Sequence, residues 1–137
     1  MKKIHVGLIG FGTVGSGTAE VLLAQAANLR RKTNLELILK TVADIGVPAL
    51  PERFSGTTLT RSADDIFNDP EIDIVVELIG GIEPAKTFIL KAIAAGKHVV
   101  SANKALFSTH GREIFEAASQ KGVEVGFEAS VGGGIPV

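Results

Sequence analysis

The chain has 137 residues, the length of one domain. Its 45% hydrophobic and 21% charged residues, with 14 Lys and Arg against 15 Asp and Glu, give a net charge of -1. That balance leaves no basic footprint for nucleic acid or an anionic membrane as partner. No cysteine is present, so disulfides, thiolate metal sites and a cysteine nucleophile are excluded within the chain, and a reducing cytoplasm is the default compartment.

In chain order, residues 3–10 carry the β-branched apolar character of a strand buried on both faces. The Lys-flanked start breaks at Gly10 and Gly12 rather than at a signal-peptide cleavage site. No apolar run approaches the roughly 18 residues of a membrane span. A turn at 12–15 leads into a helix from 13 to about 28, with Val14, Thr18, Val21 and Leu22 along one side. Residues 34–44 form a second strand. Pro48, Pro51 and Gly56 mark 45–61 as an irregular excursion. Ser62, with Asp65 three residues later, is placed to cap a short helix ending near Asn68.

Residues 72–81 make a third strand closed by Gly80-Gly81. Pro84 opens a helix whose Ala85, Phe88, Ile89, Ala92 and Ile93 recur at i, i+3, i+4, i+7 and i+8. Gly96 ends it, and residues 97–102 are strand four. Gly111, Ile114, Phe115 and Ala118 stripe a last helix that stops at Gly122, before a fifth strand over 123–130. The apolar stop at Val137, without a polar tail, suggests the N-terminal part of a longer protein. Strands alternating with helices through short links predict an α/β domain, a Rossmann-type doubly wound parallel sheet covering 1–137, with strand order 3-2-1-4-5. Ligands of such sheets lie beyond the C-terminal strand ends.

Gly10-Phe11-Gly12-Thr13-Val14-Gly15 fits G-x-G-x-x-G in the context that gives the motif meaning, after a buried strand and opening a helix. The first glycine permits the turn, the second lets backbone approach a pyrophosphate, and the third lets helix and strand pack. The N–H groups of Phe11 to Val14 then face the phosphates, where the helix dipole favours negative charge. Asp44, at the end of strand two, stands 29 positions after Gly15, where about 20 is usual for the acid that binds the adenosine ribose. Two readings stand, ribose ligand or turn residue. As a ribose ligand its charge would repel a 2′-phosphate and favour NAD over NADP, unless Arg53 reaches back from the excursion.

Gly80-Gly81 would let a cofactor ride over the backbone, or serve a turn needing positive φ, or both. Glu77, inside an apolar strand, is expected to be at least partly buried and so to need partners or a raised pKa, in a structural role or near the cleft. Lys104 follows Ser101, Ala102 and Asn103 at a strand end. A cation sits badly at the positive end of a helix dipole without compensation. Facing a nicotinamide it would hold a substrate oxygen or donate a proton; the alternative is a surface lysine. His5, His98 and His110 have no metal-ligand spacing.

Three segments together resemble homoserine dehydrogenase: GLIGFGTVGSG, then ELIGG followed by a helix and GKHVVSANKAL, then FEASVGGGIP. The resemblance spans essentially the whole chain. It implies NAD(P)-dependent interconversion of L-homoserine and L-aspartate 4-semialdehyde on the route to threonine and methionine, in a cytoplasmic homo-oligomer. It also implies that Phe11, Thr13 and Val14 meet the pyrophosphate, that Gly80 lines the cofactor cleft and that Ser101 and Lys104 sit near the nicotinamide, with Lys104 a candidate for the catalytic lysine pair. Gly10, Gly12, Gly15 and Asp44 are the cofactor-site candidates of the fingerprint itself. A monovalent cation, usually sodium in this family, would take the backbone carbonyls of Glu128, Val131, Gly133 and Ile135. The family's substrate domain would lie beyond Val137, so this piece alone is expected to bind dinucleotide without appreciable turnover. Ala43 and Ile45 flank Asp44 where NADP-preferring members carry an arginine, which tilts the expectation toward NAD. A phosphorylating semialdehyde dehydrogenase shares the fold but needs a cysteine nucleophile, absent from these 137 residues, that a further C-terminal part could supply, so it stays an alternative. A non-catalytic nucleotide-sensing module is the rival from another class.

Overall fold

A computed structural model describes residues 2–127. Six parallel strands form one sheet in the order β3-β2-β1-β4-β5-β6. They are β1 (Lys2–Ile9), β2 (Leu35–Ala43), β3 (Thr58–Thr60), β4 (Ile72–Glu77), β5 (His98–Ser101) and β6 (Val125–Phe127). The helices are α1 (Thr13–Ala24), α2 (Ala26–Thr33), α3 (Asp64–Phe67), α4 (Ala85–Ala94) and α5 (Lys104–Lys121).

Because successive strand side chains point to opposite faces, neighbouring residues enter different cores. Leu8, Val42 and Val76 pack with Ala19 of α1 and Phe54 on one face. Ile9, Ala43 and Val75 pack with Ile66 of α3, Ile89 of α4 and Leu106 and Ile114 of α5 on the other. A strand covered on both sides can be apolar at consecutive positions, which is why residues 6–9 of β1 and 74–76 of β4 do not alternate with polar residues.

Five expectations need correction. Thr58–Thr60, inside the supposedly irregular excursion, pairs with Thr41–Ala43 as an edge strand. The strand at 72–77 therefore lies beside β1, not beyond β2 as the five-strand order required. The first helix breaks at Gln25, and residues 26–33 form a separate helix ending at Asn34 in the left-handed conformation (φ 56°). Ser62 caps nothing with its side chain; Ala63 holds the cap position of α3, and the Thr60 hydroxyl takes Asp65 instead. Strand β4 stops at Glu77, and Leu78 to Gly81 run on as the loop that forms one wall of the cleft.

Candidate functional site

The first turn after β1 is built by close approach. Gly10 has φ +100° and its N–H donates to Ala43 O at 2.9 Å. A Cβ at Gly15 would stand 1.9 Å from Gly10 O, so α1 rests directly on the turn and no larger residue fits. The first helical bond runs from Ser16 N–H to Gly12 O, 2.8 Å. The N–H groups of Thr13, Val14 and Gly15 consequently have no acceptor among the described residues, and the first turn of α1 carries no acid. Gly12 and Thr13 are exposed, and a Cβ at Gly12 would meet nothing within 4 Å. Open donors, a clear approach and the positive helix end suit a diphosphate.

Phe11 departs from expectation. Its N–H donates to Asp44 Oδ2 at 2.7 Å and its ring is buried edge-on against Phe54, 6.0 Å between centroids. The donor counted for phosphate is thus used to tie the glycine turn to the end of β2. Asp44 Oδ1 accepts from Gly46 N–H (2.8 Å) and Val47 N–H (3.0 Å). The Phe11 N–H above all holds the Asp44 carboxyl below the ordinary carboxylate range; burial opposes this, and the Gly46 and Val47 N–H groups add to it. Asp44 is a turn residue and also a fixed negative charge at the cleft. Arg53 does not reach back to it, because its guanidinium pairs with Glu20 of α1 and lies 5.5 Å over the Phe54 ring.

Beside Asp44 opens a cavity of about 390 Å³. Ile9, Ala43, Ala63, Ile79, Pro84 and Phe88 give it apolar walls, and exposed Arg61 lines it next to Asp44. Arg61 Nη1 donates to Ile45 O at 2.9 Å. Apolar walls with charged groups at the edge fit an adenine ring and its ribose. Arg61 was missed from sequence because the strand it follows was missed; a residue just past a parallel strand's C-terminal end is where ligand contacts gather.

Across the Gly80 backbone lies a smaller cavity of about 170 Å³, lined by Val14, Glu77, Leu78, Gly80, Ala102 and Asn103. Glu77 is fully buried. Its Oε2 accepts from Ile79 N–H (2.9 Å) and Gly80 N–H (3.1 Å), and its Oε1 from the Ser101 hydroxyl (2.7 Å). Ser101, also fully buried, accepts from Asn103 N–H at 3.1 Å. Its hydroxyl therefore faces into the protein beneath the cleft. Asn103 caps α5 by accepting from Leu106 N–H (3.1 Å) and donates through Nδ2 to Gly81 O (2.5 Å). Gly80 and Gly81 have φ of +76° and +73°, so their turn demands glycine. Lys104 is exposed at the first position of α5, and its ammonium has no partner among the described residues.

The histidines stay apart. His98 Nδ1 accepts from Glu124 N–H, and His110 lies 3.8 Å from Glu113. Among the described residues no His, Cys, Asp and Glu cluster could hold a metal. The cation ligands expected at Glu128, Val131, Gly133 and Ile135 lie outside the described residues.

Six parallel strands in the 3-2-1-4-5-6 order, a glycine turn under a helix with open amides and an apolar cavity at the β2 end define a Rossmann-type dinucleotide-binding domain. The family model described as "Homoserine dehydrogenase, NAD binding domain" matches residues 10–128. The chain belongs to that family. Homoserine dehydrogenase of Pseudomonas aeruginosa is 48% identical over 138 residues, covering 100% of this chain and 31% of its own length. That of Synechocystis is 47% identical, covering 98% and 31%. The crystal structure of the Thiobacillus denitrificans homoserine dehydrogenase is 50% identical with a TM-score of 0.83, over 95% of this chain and 30% of that one. The Staphylococcus aureus enzyme at pH 8.5 is 34% identical with a TM-score of 0.87, over 95% and 33%. The chain thus spans about a third of the length of these relatives.

Proposed function

We propose that this chain is the cofactor-binding part of an NAD(P)-dependent homoserine dehydrogenase, which interconverts L-homoserine and L-aspartate 4-semialdehyde. One juxtaposition carries the reading: the open amides of α1 stand at the C-terminal end of β1, and the Lys104 ammonium, without a partner among the described residues, at that of β5, with only β4 and its glycine turn between them. A bound nicotinamide dinucleotide supplies the hydride chemistry. The chain's own residues grip and orient. Thr13 and Val14 donate to the diphosphate, the apolar cavity takes the adenine, and the Gly80-Gly81 turn admits the cofactor over bare backbone. Lys104 holds the substrate oxygen and stabilises charge or moves a proton there.

Asp44 supports NAD as the favoured cofactor, because three backbone donors keep a negative charge fixed beside the ribose site. Arg61, which lines the same cavity, is the group available to hold a 2′-phosphate if NADP is used. A substrate domain beyond 137 would position the amino acid, and carbonyls of Glu128, Val131, Gly133 and Ile135 would hold a monovalent cation. Family membership further supports a homo-oligomer serving threonine and methionine synthesis in the cytoplasm; no helix among the described residues is long and apolar enough to cross a membrane.

The test is Lys104→Ala in the full-length enzyme. Turnover should fall by about 100-fold or more with the fold intact, the scale of losing a group that stabilises oxygen charge. Wild-type turnover in that variant would return Lys104 to an ordinary surface position.

A further inference from the structure

Beneath the cleft runs a chain of hydrogen bonds with a fixed direction. Asn103 N–H donates to Ser101 Oγ, and the Ser101 hydroxyl donates to Glu77 Oε1. Glu77 Oε2 gathers the N–H groups of Ile79 and Gly80. The Asn103 side chain closes a loop, from Leu106 N–H at the start of α5 to Gly81 O in the glycine turn. The loop ties the end of β4, the end of β5 and the first turn of α5 into one unit, and Lys104 is the next residue after Asn103. Glu77 and Ser101 are 0% exposed and Asn103 is 8% exposed, so water cannot replace a missing partner at the first two.

We infer that Glu77 and Ser101 are positioning residues, which act through Asn103 to aim Lys104 into the nicotinamide side of the cleft. The inference rests on the proposed role of Lys104. Simple strand stapling would need only one of these bonds. Here the hydroxyl both accepts and donates, and so passes the orientation of Asn103 to a carboxylate that also sets the Gly80 turn. Loss of the hydroxyl orphans Asn103 N–H and frees the Ala102–Asn103 peptide, whose carbonyl accepts from Lys104 N–H at 3.0 Å. A displacement of about 1 Å at a catalytic group is enough to cost about 100-fold in rate.

The experiment uses the full-length enzyme with Ser101→Ala, Lys104→Ala and the double variant. Each is checked for folding by circular dichroism and measured for kcat and for cofactor Kd. Ser101→Ala should lower kcat at least tenfold while the Kd for NAD stays within about twofold. In the Lys104→Ala background the same change should have almost no further effect, because the group it aims is already gone. Three results would overturn the inference: wild-type kcat in Ser101→Ala, an equal loss in cofactor affinity, or undiminished effects multiplying in the double variant. Full activity of Lys104→Ala alone would identify the role of Lys104 as the failed premise. If Ser101→Ala does not fold, Glu77→Gln takes its place. A glutamine can still accept from Ile79 and Gly80, but its NH₂ would face the Ser101 hydroxyl and leave that proton without an acceptor. The same kcat loss at unchanged Kd is expected from it, and its absence counts against the relay.

Discussion

Gly12→Ala separates cofactor gripping from folding. The backbone at Gly12 has φ −75° and ψ −156°, which alanine adopts freely, and the added methyl meets nothing within 4 Å. Two opposed effects act on stability, each under about 1 kcal/mol: alanine is a poorer N-cap than glycine, and it loses less chain entropy on folding. Tm should therefore barely move. The methyl does, however, stand in the open approach to the first turn of α1. Displacing a phosphate from one backbone donor removes a charge-assisted bond of about 1.5–3 kcal/mol, so Kd for NAD should rise roughly 10- to 100-fold at about 1.4 kcal/mol per decade. Gly15→Ala is the contrast. Its Cβ starts 1.9 Å from Gly10 O, and contacts under 3.0 Å are essentially never seen, so helix and strand must part by more than 1 Å. That change should cost at least about 1–3 kcal/mol of stability as well as binding. Isothermal titration calorimetry with NAD and differential scanning calorimetry read both quantities. An unchanged Kd in Gly12→Ala would refute the path of the diphosphate over this turn. A collapsed Tm would refute the claim that the approach is open.

Further outcomes follow from the charged groups. Calorimetry should show NAD bound at least as tightly as NADP; Asp44→Asn should narrow that gap, and Arg61→Ala should weaken NADP more than NAD. The depressed Asp44 pKa makes its contribution to stability complete above the ordinary value of 3.8 and lost as pH falls below it. The stability difference between wild type and Asp44→Asn should then shrink on acidification, as denaturant titrations across that range would show. Lys97 is only 4% exposed, and its ammonium donates to Asp69 O (2.6 Å) and Ile72 O (2.8 Å). Lys97→Met should cost about 1–3 kcal/mol at neutral pH by leaving those carbonyls without a donor. Burial lowers the Lys97 pKa, so the unfolded chain binds the proton more tightly. Wild-type stability should gain from this group as pH rises toward the ordinary lysine value of 10.5, and Lys97→Met should lack that gain.

The elements legible in the sequence were those whose pattern is local. The buried runs of β1 and β4 and the i, i+3, i+4 stripe of α4 announced themselves, and so did the glycine turn between strand and helix. Thr58–Thr60 was not legible, because a three-residue edge strand has no periodicity and the prolines and glycine before it signal a loop. The break at Gln25 was hidden for the opposite reason: residues on both sides form helix readily, and no Gly or Pro marks the kink. Asp44 was found by its place at a strand end, but its grip on Phe11 N–H spans 33 positions and leaves no trace in composition. The tie between Glu77 and Ser101, 24 positions apart, is equally silent. A buried acid tells the reader that partners exist without naming them.

The central claim is that the open amides at the start of α1 receive a dinucleotide's diphosphate. A crystal structure of the protein with NAD tests it most directly. Phosphate oxygens within about 3.2 Å of the backbone nitrogens of Thr13 and Val14 are predicted, with the adenine in the cavity between Ala63 and Ile79. A nucleotide bound elsewhere, or that turn filled by the protein's own side chains under saturating NAD, would contradict the account.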